Sequence, residues 1–407
     1  MPLSKPAPDA IAAAIRADAL AEGFIACGFA PALDSAGFSD LVEWIEAGFA
    51  AEMTYFADRL DAYRHPSGVL PGARSVVVLA YPYPATDPIP PDLTGSKIAD
   101  GNGTGITIHG RVARYTWSGA DYHDVIHPKL KRICRSIKQL SPEAHARGIV
   151  DTAPMMEREV AQLAGLGWRG KNTLLLSRTL GSYFFLACVL VDIELPSDTP
   201  FETDHCGTCT ACLDACPTDA FVAPHVLDAS KCISFLTIES RELIPESLRH
   251  DIGDWVFGCD VCQEVCPWNR KPSRRAIAAE GSDASGHQSA AQPSRGRMQL
   301  AELFWLDEDS FRERFRKTPM WRTRRRGLLR NAAIVLGNTG TFDCLSPLLS
   351  GLQDTEPMVR AACVWAIFQI GERSPLPLPD HVANALDQLR RVESQAMVLA
   401  ELEPRQG

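Results

Sequence analysis

Alternating β-branched runs and helical stretches up to residue 200, a ladder of cysteines between 206 and 266, and a thirty-residue helical repeat beyond 299 predict three parts in series: an α/β domain, a small module built around metal clusters, and an all-α tail. A chain of 407 residues with 45% hydrophobic content has room for two or three such cores. Residues 1–200 are assigned to the α/β domain, 201–270 to the cluster module, 271–298 to a flexible linker or loop, and 299–407 to the helical tail.

Within the first part, residues 8–30 carry the apolar spacing of an amphipathic helix that ends at a glycine, and a second helix is expected from Ser39 to about Phe56. Ser75 to Ala80 (SVVVLA), Gly148 to Val150 and Phe184 to Val191 read as strands, with helices around 121–140 and 154–166 between them. That alternation implies a sheet covered by helices. The longest apolar run, Tyr183 to Val191, falls well short of the roughly 18 residues a membrane span needs, and the opening MPLSKPAPDA lacks a charged segment leading into an apolar one. A cytoplasmic protein without a membrane segment is expected. Cys27, Cys134, Cys188, Cys344 and Cys363 stand in apolar contexts and read as core thiols.

The other eight cysteines form one pattern. Cys206, Cys209, Cys212 and Cys216, followed by Pro217, reproduce the bacterial-ferredoxin run C-x2-C-x2-C-x3-C-P, and Cys259, Cys262 and Cys266, followed by Pro267, repeat its ending with the leading cysteine displaced to Cys232. Two [4Fe–4S] clusters in a ferredoxin-like module follow. Because the last cysteine of each run serves the other cluster, Cys206, Cys209, Cys212 and Cys266 are assigned to one, and Cys216, Cys232, Cys259 and Cys262 to its neighbour. A zinc ribbon does not require this order, and a disulfide frame calls for an oxidising compartment.

Two clusters in series form an electron wire, and the α/β domain is the natural holder of the acceptor. No P-loop or dinucleotide fingerprint is present: the Gly101-Asn102-Gly103-Thr104-Gly105 run lacks the flanking strand and helix and reads as a loop. Asp151, between the Ile149-Val150 strand end and Ala153-Pro154, is either a helix cap or a proton donor whose pKa is raised by apolar surroundings. In the run from Gly165 to Asn172, three glycines around Trp168 allow close approach of backbone to a large flat cofactor, or make a tight turn. Arg64 and Arg114 suit cofactor amides or phosphate, or a surface ion pair.

Beyond the linker, whose 276–295 stretch is rich in Ala, Ser, Gly and Gln, Arg330-Asn331-Ala332-Ala333 recurs as Arg360-Ala361-Ala362-Cys363, the texture of HEAT-like repeats. Net charge is −9, yet nine basic residues stand against Glu313 alone between Arg312 and Arg330, with Phe311, Phe315 and Trp321 interleaved. Such a patch fits phosphate, or a solvated face of snorkelling arginines.

Together these motifs resemble one family, the cobalamin-dependent iron–sulfur epoxyqueuosine reductases. The likeness runs through Tyr55-Phe56, Leu70 to Ser75, Asp121-Tyr122-His123, Val150 to Pro154, Ala164 to Asn172, Gly181 to Leu186, Cys232 to Glu239 and Cys266-Pro267-Trp268-Asn269. The resemblance implies a base-off cobalamin in the N-terminal domain and, as substrate, a tRNA with a GUN anticodon carrying epoxyqueuosine. It further implies Asp151 as proton donor, with Arg64, Arg114, Asp151, Trp168, Gly170, Lys171 and Asn172 near the corrin. No histidine ligand replaces the lower base: the nearest run, Glu143 to Gly148, has Glu where the Asp-x-His-x-x-Gly signature has Asp. Arg322, Arg324, Arg325, Arg326 and Arg330 are expected to grip tRNA phosphates. A flavodoxin or ferredoxin type of donor and a monomeric state are expected. A reductive dehalogenase shares the cluster layout but has no use for a basic helical tail, and a non-catalytic electron carrier needs neither Asp151 nor the α/β domain.

Overall fold

The computed structural model describes residues 6–83, 97–99, 106–270 and 296–403. Residues 271–295 of the expected linker and the Gly101 to Gly105 loop lie outside the described residues. The chain divides into two compact units: Met1–Thr86 with Ala120–Ser230 and Asp260–His287, and Asp87–Gly119 with Lys231–Cys259 and Gln288–Gly407. These units do not follow the four sequential segments, since the cysteine module contributes to both.

In the first unit, four strands form an antiparallel sheet in the order Ala26–Pro31, Ser75–Pro82, Phe184–Val191, Ala146–Ile149. Successive side chains point to opposite faces of a strand, and here both faces are buried. Val77, Leu79, Val189 and Val191 share a core with Ile126, Leu130, Ile133 and Ile137 of the Tyr122–Leu140 helix and with Ile11 and Ile15 of the Pro8–Ala21 helix. Val76, Val78, Ala80, Cys188 and Leu190 share the opposite one with Val160 and Ala161 of the Glu157–Leu163 helix. The 126, 130, 133, 137 spacing is the apolar stripe of a helix, and each such side chain contributes about 1.5–3 kcal/mol on burial. Gly148 lets that helix approach: a Cβ there would lie 2.7 Å from the Leu130 Cβ.

Three expectations are corrected. The first helix stops at Ala21, Gly23 turns the chain with φ +87°, and Ala26–Pro31 pairs with Ser75–Pro82 as a strand. A short apolar run fits either period, and here the sheet partner decides. The second helix is Phe38–Glu46, followed by one turn at Tyr55–Asp58. The helix expected from residue 154 begins at Glu157.

In the second unit, Ile106–Val112 pairs with Trp255–Phe257 in parallel and with Arg297–Gln299 and Lys97–Ala99 in antiparallel fashion. Its helices Arg324–Thr339 and Pro357–Arg373 are buried on most of their faces, as interior helices are. Gly337 sits under the Trp365 ring, where a Cβ would come within 2.5 Å. Asp380–Val392 and Ala396–Leu402 complete the helical tail. Among the described residues no helix is long and apolar enough to cross a membrane.

Candidate functional site

The turn after the Ala146–Ile149 strand carries Asp151 in the left-handed region, φ +41°. A non-glycine residue held there costs about 1–3 kcal/mol, which its surroundings must supply. They do so through the first turn of the Tyr122–Leu140 helix. His123 Nε2 reaches Asp151 Oδ1 at 2.8 Å, and the Tyr122 hydroxyl donates to Oδ2. Behind His123, Asp121 caps the helix, accepting from the His123 backbone N–H at 3.0 Å and meeting Nδ1 at 2.8 Å.

Burial works against a charge on His123, but the bonds to Asp121 and Asp151 outweigh it and push its pKa up to about 9. At neutral pH the ring is therefore an imidazolium donating from both nitrogens. Of the two alternatives expected for Asp151 the structure sets aside the helix cap, and around the candidate proton donor it places polar rather than apolar partners. The Asp151 side chain is 53% exposed and faces an O–H and an N–H rather than apolar groups, and it lies too far ahead of Glu157 to cap the next helix.

Around this carboxylate stand aromatic rings and unspent charge. Tyr122 stacks on Phe185 at 4.4 Å, and Phe185 meets Tyr83 at 4.7 Å. Burial pushes the Glu157 carboxyl up to about 7, and its Oε1 is sealed from water with no hydrogen-bond partner among the described residues. Arg158 is reached by solvent although protein groups surround its guanidinium; burial lowers its pKa, and Glu157, Arg169, Cys262 and Tyr83 all act on it.

Cys206, Cys209, Cys212 and Cys266 line a single cavity of about 240 Å³. Burial raises the Cys212 and Cys266 thiols, and the neighbouring Cys206 and Cys209 push both the same way. Among the described residues no three His, Cys, Asp or Glu side chains close in on one ion. Cys216 and Cys262 belong to the same unit, Cys232 and Cys259 to the other.

The hairpin Trp168–Arg169 and Leu175–Leu176 straps the cysteine loops. Trp168 Nε1 donates to Cys206 Sγ at 3.5 Å, Lys171 Nζ to the carbonyls of Gly207 and Cys209 at 2.7 and 3.0 Å, and Asn172 Nδ2 to the Cys262 carbonyl at 3.3 Å. The Gly170 carbonyl meets His225 Nδ1 at 3.0 Å. Trp168, Gly170, Lys171 and Asn172, expected beside a corrin, are engaged with the cysteine module. Past Cys262, Gln263 Nε2 donates to Ser182 Oγ at 2.9 Å, and Asn269 donates to the same hydroxyl at 3.0 Å while accepting from the Ser182 N–H at 2.7 Å. Gly181, φ +67°, makes room, since a Cβ there would lie 2.1 Å from Asn269 Oδ1. The Arg64 guanidinium lies 4.2 Å over the Phe38 ring, and Arg114, in the second unit, lies 5.3 Å over Trp117.

The basic segment of the second unit separates into two kinds of arginine. Arg330 is fully buried and donates to the carbonyls of Leu236, Ser240 and Glu242; Arg325 is clamped by Asp354 at 2.5 and 3.2 Å and by the Leu306 carbonyl at 2.7 Å. Neither can reach a phosphate, which corrects the expectation for both. Arg322, Arg324 and Arg326 are exposed, Arg322 paired with Glu239 at 2.7 Å and Arg324 lying 4.3 Å over Trp321 with φ +62°. Arg241, which sequence spacing missed, joins them: burial lowers its pKa, and Arg322, Arg326 and Arg324 add to that against the pull of Glu239.

Residues 205–269 match a 4Fe-4S double cluster binding domain, and with the four-thiol cavity this defines an iron–sulfur oxidoreductase. Residues 64–152 match the family described as Epoxyqueuosine reductase QueG, DUF1730. An epoxyqueuosine reductase of Pseudomonas aeruginosa is 38% identical over 91% of this chain and 97% of its own, and that of Escherichia coli K12 is 36% identical over 82% of each. The fold is similar to that of an epoxyqueuosine reductase crystallised with an epoxyqueuosine-modified tyrosine-tRNA stem loop (TM-score 0.81, 27% identity, 97% of both chains). It is also similar to that of the Bacillus subtilis enzyme with its catalytic aspartate loop swung out of the active site (TM-score 0.79, 27% identity, 97% of both chains). The chain belongs to the epoxyqueuosine reductase family.

Proposed function

We propose that this chain reduces epoxyqueuosine to queuosine at the wobble position of tRNA, with Asp151 delivering the proton to the departing oxygen. The observation that carries the chemistry is the hold on Asp151 at both carboxylate oxygens. Turning an epoxide into an alkene takes two electrons and two protons and releases the oxygen as water, and an oxygen leaving unprotonated is a poor leaving group. His123 is the proton store: passing its Nε2 proton to Asp151 Oδ1 leaves a neutral ring that still donates from Nδ1 to Asp121. Its partly exposed edge recovers the proton from water.

Cys206, Cys209, Cys212 and Cys266 hold one [4Fe–4S] cluster, and Cys216, Cys232, Cys259 and Cys262 the other, each run lending its last thiol to its neighbour. The polar groups near Asp151 suit a base-off cobalamin. The sealed Glu157 Oε1, with no partner among the described residues, fits a corrin amide, while the guanidinium groups of Arg158 and Arg64 offer further donors; Arg114 remains a candidate for the same amides. When bound, cobalamin supplies a metal centre reducible at low potential. Arg241, Arg322, Arg324 and Arg326 contact anticodon-stem phosphates, and Arg324 and Arg326, which open the Arg324–Thr339 helix against its dipole, gain from an anion there. The tail helices act as HEAT-like repeats, and electrons come from a flavodoxin- or ferredoxin-type donor.

The test is an anaerobic single-turnover assay of protein reconstituted with clusters and cobalamin, given epoxyqueuosine tRNA and a chemical reductant, with nucleosides read by mass spectrometry. Cobalamin-dependent loss of one oxygen is expected. No conversion by fully loaded protein would overturn the proposal.

A further inference from the structure

Trp168 is 1% exposed, and a buried indole N–H needs an acceptor. Among the described residues its acceptor is the sulfur of Cys206, at 3.5 Å. Phe201, His205 and Trp268 pack round the same indole, with ring centroids 5.0 to 5.5 Å away, and keep that side of the four-thiol cavity dry. On the cavity's other side Cys209 is exposed, and the Lys171 ammonium is anchored between the cysteines by the carbonyls of Gly207 and Cys209. A four-iron cluster on four thiolates is an anion that becomes more negative when reduced. A hydrogen bond to a ligand sulfur and a fixed cation both favour the reduced state and raise the reduction potential.

We propose that Trp168 and Lys171 set the potential of the cluster on Cys206, Cys209, Cys212 and Cys266, raising it so that this cluster, open to solvent at Cys209, is where electrons from the donor arrive. The inference rests on the cluster assignment above. Neither residue touches substrate; both act through the cluster, so the readout is a potential rather than a rate.

The experiment is an anaerobic redox titration followed by electron paramagnetic resonance, on full-length protein shown by iron and sulfide analysis to hold both clusters. Failure of the unsubstituted protein to load them would overturn the cluster assignment itself, and this inference with it. Cys209→Ser identifies which of the two reduction waves belongs to this cluster. Trp168→Phe is expected to make reduction in that wave roughly tenfold less favourable, about 59 mV lower for a one-electron couple, and to leave the other wave in place. Lys171→Gln, a change at a half-buried side chain that keeps the indole, is expected to shift the same wave in the same direction and serves if the tryptophan variant fails to load. An unmoved wave in the loaded variants, an upward shift, or a shift of the other wave alone would overturn the proposal.

Discussion

Asp151 and the basic segment of the second unit hold charge in opposite ways. At Asp151 a single carboxylate is fixed at both oxygens, on a strained backbone, by a helix whose cap is itself part of the network. Along the basic segment, charge is spread over Arg241, Arg322, Arg324 and Arg326 on a surface, while Arg325 and Arg330 are withdrawn into the core. Proton transfer depends on one atom being in one place. A grip on phosphates needs only enough positive charge near the backbone, so its members are individually dispensable.

The largest effect should come from the localised site. Asp151→Asn keeps the size and loses the proton, and a drop of about 10²–10⁴ in single-turnover rate is expected, with cluster content unchanged. Retention of the full rate would remove Asp151 from the chemistry and break the contrast. Next is the withdrawn arginine. Arg330→Met leaves the buried carbonyls of Leu236 and Ser240, and the part-buried one of Glu242, without their donor, at about 1–3 kcal/mol for each buried group left unsatisfied, and should show as a clearly lowered unfolding temperature, whatever the salt. A variant as stable as the parent, but weaker on tRNA, would place Arg330 on the surface after all.

Replacing Arg322, Arg324 and Arg326 together by Gln should raise the KM for tRNA without lowering kcat, and should flatten the salt dependence by about 0.7–0.9 in log–log slope for each phosphate that is no longer neutralised. An unchanged slope would mean that this face meets only water. The smallest effect sharpens the first. Since the His123 pKa lies above its ordinary 6.5, the stability its charge provides is complete below pH 6.5 and is lost as pH rises through about 9. Turnover should decline over the same alkaline range, and His123→Gln should abolish that limb. A limb that survives in His123→Gln belongs to another group.

Much of this was legible in the sequence where spacing itself encodes the chemistry. The cysteine ladder fixes its own loops, and the β-branched run from Ser75 to Ala80 marks a strand that is found as Ser75–Pro82. Asp151 was legible as a residue but not as an environment, because Tyr122 and His123 stand 29 and 28 positions away and only the fold brings them to it. The arginines were misread for a related reason: a run of like charges looks like one surface, although a helix turns successive residues through different directions. One signal did mark Arg330. It opens the same repeat as Arg360, and Arg360 is likewise an internal strut, bonded to Glu393 at 2.7 Å and to the Asp354 carbonyl at 2.7 Å. Arg241, far ahead of Arg322 in the chain, had no such signal.

The tie between Gln263, Asn269 and Ser182 has a consequence for how the protein matures in a cell. It fastens the loop around Cys266 to the turn that starts the Phe184–Val191 strand, next to Tyr83 and Phe185. On the cluster assignment proposed above, a chain that has not received its iron is expected to keep the sheet but to lack the group that would brace the far side of that loop. Iron shortage is then expected to reach Tyr83 and Phe185 through a handful of hydrogen bonds. The newly made chain is expected to be most open to proteases around residues 260–270, and cluster insertion to be the step that closes it.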